Sequence, residues 1–303
     1  MVKTQTWLNH SILYRSIKID LSIINESPLR IGSGERVSFI STIDEPILTI
    51  KIGTEEKPLI PGSTLKGIFR STFENLCRSV GLYVCERGDG CKNRFNKKLQ
   101  YIVKNGRMDK IINFLSEKYC LACKVYGSGT YSSHIDFSDF VSVESYKIGV
   151  RPGIAINRRT GTVKRRVLFN IEYIEPGAVF KGSVYLNNTP NYIIGSIFQI
   201  LDYINSGIVK IGGMKSRGFG RVKVNIGKIK LTLYDSENKK YEDYIIEDDC
   251  KVFSDKDGGR CKLILEPLDF DDEKVELDNP SIQEFKSSLL NSWWNYVSKK
   301  GQD

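Results

Sequence analysis

The chain has 303 residues, enough for one large domain or two ordinary ones. Hydrophobic residues make up 40% and charged residues 27%, the balance of a globular protein. A net charge of +9 favours a polyanionic partner, nucleic acid first, and no stretch approaches the ~20 apolar residues that span a bilayer. Residues 1–20 carry Lys3, Arg15 and Lys18 and lack the apolar core of a signal peptide, so a cytoplasmic location is expected. Seven cysteines, an odd number, argue for reduced thiols or a metal rather than a disulfide framework.

Residues 12–24 (ILYRSIKIDLSII) alternate as a strand does. Residues 28–35 (PLRIGSGE) are turn-rich, with Arg30 and Arg36 beside them. Asp44-Glu45-Pro46 marks a turn, and ILTIKI after it reads as a short strand. Pro58 and Pro61 disfavour helix before residue 62, and Ser63 is a good N-cap. From there Leu65, Ile68, Phe69, Phe73, Leu76 and Val80 recur at helical spacing, with Lys66, Arg70 and Arg78 on another side. A positive helix start bearing Gly62, Ser63, Lys66 and Arg70 predicts an anion site. The plainer alternative is a surface helix with solvated cations. Gly67 costs ~1 kcal/mol against Ala inside a helix, so close packing on its backbone is expected.

Residues 82–130 hold most of the cysteines, with a helical patch at 109–118. Residues 133–146 alternate as a strand, and 148–166 are basic and turn-rich. Two strands, 167–173 and 178–186, flank the Glu175-Pro176-Gly177 turn, and 192–206 carry a helical stripe. A glycine loop at 212–220 leads into a strand at 222–233. Residues 235–260, with an acidic run at 242–249, read as an exposed insertion or mobile loop, and 282–297 as an amphipathic helix. The order suits an α+β sandwich on ferredoxin-like βαββαβ packing with long insertions.

Three constellations carry chemistry. Cys85, Cys91, Cys120 and Cys123 read C-x5-C, a 28-residue gap, then C-x2-C. The second pair has the spacing of two thiolates on one tetrahedral zinc, and the first is looser than usual. Such a four-thiolate zinc is structural, a staple for an insertion poor in apolar residues; the alternative is four buried or free thiols. Cys77 sits beside the helix stripe and reads as core, and Cys250 and Cys261 as unpaired thiols. The loop Gly212-Gly213-Met214-Lys215-Ser216-Arg217-Gly218-Phe219-Gly220 has Phe219-Gly220 where a Walker loop needs Lys-Ser/Thr, and it precedes a strand. It remains a loop able to nest phosphates, with Lys215, Arg217 and Arg221 beside it, or else a plain hairpin. Arg151, Arg158, Arg159, Lys164, Arg165 and Arg166 suit a β-hairpin lying over a phosphate backbone, or a solvated loop. Acid–base candidates are scarce: the only histidines are His10 and His134, and a lone strand histidine is usually structural. Asp44, before Pro46, is by itself an ordinary turn former.

PLRIGSGE, STIDEPIL and LIPGSTLKGIFRS, in that order, together resemble the RAMP superfamily of CRISPR-associated proteins. More narrowly they are similar to the backbone subunit of type III effector complexes. GIAINRRTGTVKRRVLFNIEYIEPGAVFKG resembles that subunit's thumb and the strands after it, and GGMKSRGFGRVKV the superfamily's C-terminal glycine-rich loop. The Cys cluster matches a zinc site of some members. The resemblance covers about residues 14–234; residues 235–303 lie outside it, as a polar insertion and a terminal helix packed on the core.

The resemblance implies a modified RRM-like core over residues 1–234, with a Cys-rich insertion at 77–130 and a thumb at 148–166. It implies a guide RNA and its complementary target as partners, other type III subunits, and self-association along the guide in a prokaryotic cytoplasm. RNA contacts would come from Arg36, Ser63, Lys66, Arg70, Arg151, Arg158, Arg159, Lys164, Gly212, Gly213, Lys215, Arg217, Gly218 and Gly220. Asp44 matches the family's position for target cleavage with a divalent cation such as magnesium, although its neighbours differ from the commonest wording. A stand-alone precursor-processing ribonuclease and a non-catalytic scaffold are the competing readings.

Overall fold

Burial alternates along the whole of β1 (Arg15–Asn25), so one face is a row of Ile17, Ile19, Leu21 and Ile23 and the other is half-exposed. A strand with one apolar face needs helices on that face alone. The computed structural model describes residues 5–34, 43–86, 90–247, 250–253 and 262–300. After β1 come a hairpin, β2 (Thr49–Ile52) and β3 (Glu55–Ile60), and helix α1 (Gly62–Ser79). An insertion follows, made of α2 (Cys91–Asn105), α3 (Met108–Lys118) and α4 (Leu121–Tyr126). Then come β4 (Ile135–Phe137), β5 (Phe140–Ser142), the paired β6 (Ile148–Ile156) and β7 (Val163–Ile174), β8 (Val179–Asn187) and α5 (Asn191–Asn205). The chain ends with β9 (Val222–Asp235), β10 (Lys240–Glu247), β11 (Cys250–Phe253), β12 (Lys262–Leu265), β13 (Val275–Asp278) and α6 (Ile282–Lys300).

The main sheet runs β11-β10-β9-β1-β8-β5-β3-β2, with β4 also on β8. Within it, β9-β1-β8-β5 is antiparallel throughout and is the 4-1-3-2 order of a ferredoxin-like βαββαβ unit, with α1 and α5 as its helices. The expected α+β, ferredoxin-like fold is therefore observed. Strands β6 and β7 pair with each other in a two-stranded ribbon, the expected basic hairpin, and isolated bridges join Ile171 and Ile174 of β7 to Glu45 and Leu29.

Helix α6 completes the core rather than decorating it. Trp293 is fully buried with its ring 5.8 Å from Phe73 of α1, and Tyr296 stacks on Tyr192 of α5 at 3.9 Å. The α5–α6 contact requires glycine at one point: a Cβ on Gly195 would lie 1.9 Å from the Leu289 carbonyl oxygen. Two predicted features are corrected. Residues 240–247 are not a loop but strand β10, paired with β9 from Lys240↔Asp235 to Glu247↔Lys228. Its polarity reflects cross-strand polar pairing, Lys230–Asp243 at 3.0 Å and Lys228–Glu247 at 2.9 Å. The stripe expected over 133–146 is two short strands, broken at Ser138-Asp139 so that Asp139 can meet the start of α1.

Candidate nucleic-acid interface and zinc site

The glycine loop, the segment 28–32, the loop 43–47 and the base of the β6–β7 ribbon are tied into one seam. The Gly220 and Gly213 amides donate to the carbonyls of Pro28 (2.9 Å) and Arg30 (2.8 Å). Gly212 and Gly220 have φ of 82° and 83°, and a Cβ there would lie 2.3 Å from the Arg30 oxygen and 2.1 Å from the Ile211 oxygen. No other residue fits either position, so these glycines are a rigid brace. Between them a 3-10 turn (Lys215–Arg217) holds Lys215, Ser216 and Arg217 exposed. Partial burial lowers the Lys215 pKa.

Phe219, buried within the loop, is the hinge to the ribbon. The Arg151 guanidinium lies 5.0 Å from its ring centre and 5.7 Å from that of Tyr173, and the two rings meet edge to face at 5.7 Å. Gly149 makes room for Tyr173, whose ring a Cβ would meet at 2.5 Å. The Asp44 and Glu45 amides donate to the Asn170 carbonyl at 3.2 Å, and the Asn170 amide donates to Asp44 Oδ2 at 2.7 Å. Glu45 pairs with Arg30, and Glu172 Oε2 accepts from the Ile47 amide at 3.1 Å. Asp44 is thus an exposed carboxylate at the foot of the basic ribbon, one residue from the ion pair that joins its loop to the glycine brace.

The start of α1 differs from expectation. The N-cap is Pro61, and Ser63 makes no capping hydrogen bond. Asp139 Oδ1 instead accepts from the Gly62 amide at 2.8 Å, an internal carboxylate in the place predicted for an external anion. Gly62 is itself sterically required, a Cβ there falling 2.2 Å from the Phe137 oxygen. Lys66 lies 3.8 Å from Asp136. Gly67 meets nothing within 4 Å, so the close packing expected on its backbone, including by the glycine loop, is not found.

Arg70 faces the cysteines. Its Nε donates to Glu74 at 2.9 Å, Nη1 to the Gly127 carbonyl at 2.9 Å, and Nη2 reaches Cys123 Sγ at 3.5 Å. Cys85, Cys91, Cys120 and Cys123 are all buried, and their sulfurs lie within 4.8 Å of one another. Cys85 is 3.5 Å from Cys123 and 3.6 Å from Cys120. A tetrahedron of sulfurs ~2.3 Å from one zinc has edges of ~3.8 Å, and a disulfide needs ~2.0 Å. The donor set therefore fits a zinc ion and not a cystine. The Cys120 amide donates to Cys91 Sγ at 3.4 Å, and with Arg70 it offsets the negative charge that four thiolates leave on such a site. Hydrogen bonds from Cys120 and Cys123 hold the Cys91 thiol well below the usual range, and donating such bonds raises Cys123. Cys77 is buried and outside the cluster, and burial pushes its thiol up to about 12.

Compared with known families, residues 23–223 match the RAMP superfamily, which spans about two thirds of the sequence. The chain belongs to the RAMP superfamily. No curated protein matches it. Membership makes it a CRISPR-associated, RNA-binding protein. Among the described residues, no helix is long and apolar enough to cross a membrane.

In this RAMP protein the seam brings together Asp44, Arg151, Gly212, Gly213, Lys215, Arg217, Gly218 and Gly220 from the predicted set. Arg158 and Arg159 are exposed at the far turn of the ribbon. The Lys164 backbone lies in β7; its side chain, and all of Arg36, Cys261 and the Cys250 side chain, lie outside what is described. Ser63, Lys66 and Arg70 lie on α1, where Lys66 faces Asp136 of β4 and Arg70 pairs with Glu74. Sequence reasoning missed Glu45, Asn170 and Tyr173 as parts of the seam and Asp139 as the helix cap. A carboxylate two residues after a strand offered no local signal of its target 77 residues away. The two histidines also meet: His10 stacks on His134 at 4.0 Å. His134 is fully buried, with Nδ1 2.9 Å from the Asn187 carbonyl and Nε2 2.6 Å from the Tyr131 hydroxyl. Both nitrogens are used in packing.

Proposed function

We propose that this RAMP protein is a guide-RNA-binding backbone subunit of a type III CRISPR complex and that Asp44 serves cleavage of the target RNA. One observation carries the reading: Asp44 is exposed where the basic ribbon, the glycine brace and the Arg30–Glu45 pair converge. Exposed cations on the glycine loop, Lys215 and Arg217, and on the ribbon, Arg151, Arg158 and Arg159, suit a phosphate backbone held by shape and charge, base pairing being left to the guide. Lys66 would flank it. Arg70, committed to Glu74 and Cys123, we assign to the zinc lobe instead. A magnesium ion binding through one carboxylate together with RNA phosphate and water would take Asp44 as its protein ligand and stabilise charge on the leaving oxygen. Glu45 is paired with Arg30, which leaves it to hold the loop.

The experiment is target cleavage by a reconstituted guide-loaded complex with Asp44→Ala. Cleavage abolished at unchanged target affinity supports the assignment. A wild-type complex that binds target and leaves it intact makes the protein a scaffold and removes Asp44 from catalysis. Metal-independent cutting of a precursor by the isolated chain would make it a processing ribonuclease.

A further inference from the structure

The zinc lobe carries a cationic surface that the seam does not use. Residues 91–108 contain Lys92, Arg94, Lys97, Lys98, Lys104 and Arg107 and no carboxylate. Helix α2 turns Phe95, Leu99 and Ile102 inward, packing Phe95 against Phe114 at 6.0 Å and Tyr119 at 6.0 Å. At 100° per residue the opposite face is Lys97, Gln100, Tyr101 and Lys104, all exposed. Tyr101 is 69% exposed.

A charged helical face is ordinarily just solvated. Among the described residues Lys97 and Lys104 stand against no carboxylate, which they share with Lys51, Lys181 and Lys223. What sets this face apart is an aromatic ring left in water between its two lysines: Tyr101 lies between Lys97 and Lys104, which are about 10 Å apart along the helix. Cations spaced along a face with an aromatic ring between them fit a single-stranded phosphate backbone whose bases stack on the ring.

We propose that the outer face of α2 is a second single-stranded RNA surface, with Lys97 and Lys104 on phosphates and Tyr101 as a stacking platform. The zinc's role is then to hold this face rigidly beside α1. Nothing in this depends on Asp44 or on cleavage.

The test measures fluorescence anisotropy of a labelled oligouridine with the full zinc-loaded chain from 50 to 300 mM salt. Each phosphate contact contributes about 0.7 to the log–log slope. Lys97→Gln with Lys104→Gln should therefore lower the slope by about 1.4 and weaken binding about 25-fold at 0.1 M salt. Tyr101→Ala should weaken binding several-fold at unchanged slope, and 4-thiouridine crosslinks should map to Tyr101 or its neighbours. Retained zinc and circular dichroism show that each variant is folded. The proposal is overturned if the double variant keeps the wild-type slope and affinity, if crosslinks fall only in the seam, or if the face binds anionic vesicles and not RNA.

Discussion

Acidification should destabilise the native chain through His134. The ring is buried under His10, with Trp7 edge-on at 5.0 Å and both nitrogens engaged by uncharged oxygens. Burial, and then the neighbouring His10, lower its pKa from 6.5 to about 3. A folded pKa below the unfolded one means that the unfolded chain takes up the proton first. This contribution is complete above about pH 6.5 and is lost as pH falls from there toward about 3. Each pH unit in that window costs about 1.36 kcal/mol, so pH 5 should remove about 2 kcal/mol. Asp272 works the other way: burial raises it to about 6, so its protonation favours the native state below that pH. The two are separated by comparing urea unfolding of wild type and His134→Gln at pH 7 and pH 5. The stability gap between them should shrink by about 2 kcal/mol. A gap that changes by less than about 0.5 kcal/mol would refute the reasoning, because His134 would then titrate alike in both states.

Purified protein should carry one equivalent of zinc, with X-ray absorption showing four sulfurs at about 2.3 Å; Cys123→Ser should reduce the zinc below half an equivalent. Trp293→Ala should cost about 3–5 kcal/mol in urea unfolding, and a loss below about 1 kcal/mol would mean that α6 is not part of the core. Gly67→Ala should stabilise the isolated chain by up to ~1 kcal/mol, since its Cβ enters open space. Destabilisation there would contradict the α1 geometry, whereas weakened RNA binding at raised stability would show the glycine kept for a ligand.

Elements whose signal is local were legible. Period-two and helical stripes placed β1, α1, α5, β9 and α6 within a few residues, and the basic, turn-rich segment 148–166 announced the ribbon. The C-x2-C pair found half of the cysteine cluster, and the looser first pair closes on it in space, with Cys85 in the segment after α1 and Cys91 at the first residue of α2. What stayed hidden is what depends on partners far along the chain. Strand β10 has a polar sequence because it lies along β9, where cross-strand pairs replace an apolar face. Ser63 looked like a cap because nothing nearby shows that Asp139 arrives from the β4–β5 turn. The glycines of 212–220 suggested a pliable phosphate nest, but Gly212 and Gly220 are fixed by backbone packing on Arg30 and Ile211.

That rigidity bears on how charge is arranged. The open face of the central sheet sets Lys18, Lys228 and Lys230 against Asp20, Glu247 and Asp243 in ion pairs. Two segments, 91–110 and 148–166, together carry thirteen of the 45 cationic residues but one of the 36 acidic ones. Neither belongs to the ferredoxin-like unit; one is the helical insertion after α1 and the other the β6–β7 ribbon. The cysteine cluster with Arg70 holds the first to α1. Backbone bridges from Ile171 and Ile174 to Glu45 and Leu29 hold the second, with Arg151 set against Tyr173 and Phe219. Concentrated positive charge repels itself and resists packing, so such segments stay ordered only where something fixes them. The thiol cluster and the bridged foot of the ribbon therefore serve the same end. Both keep basic surface off the sheet and hold it in a set place, as a polyanionic partner of the proposed kind would need.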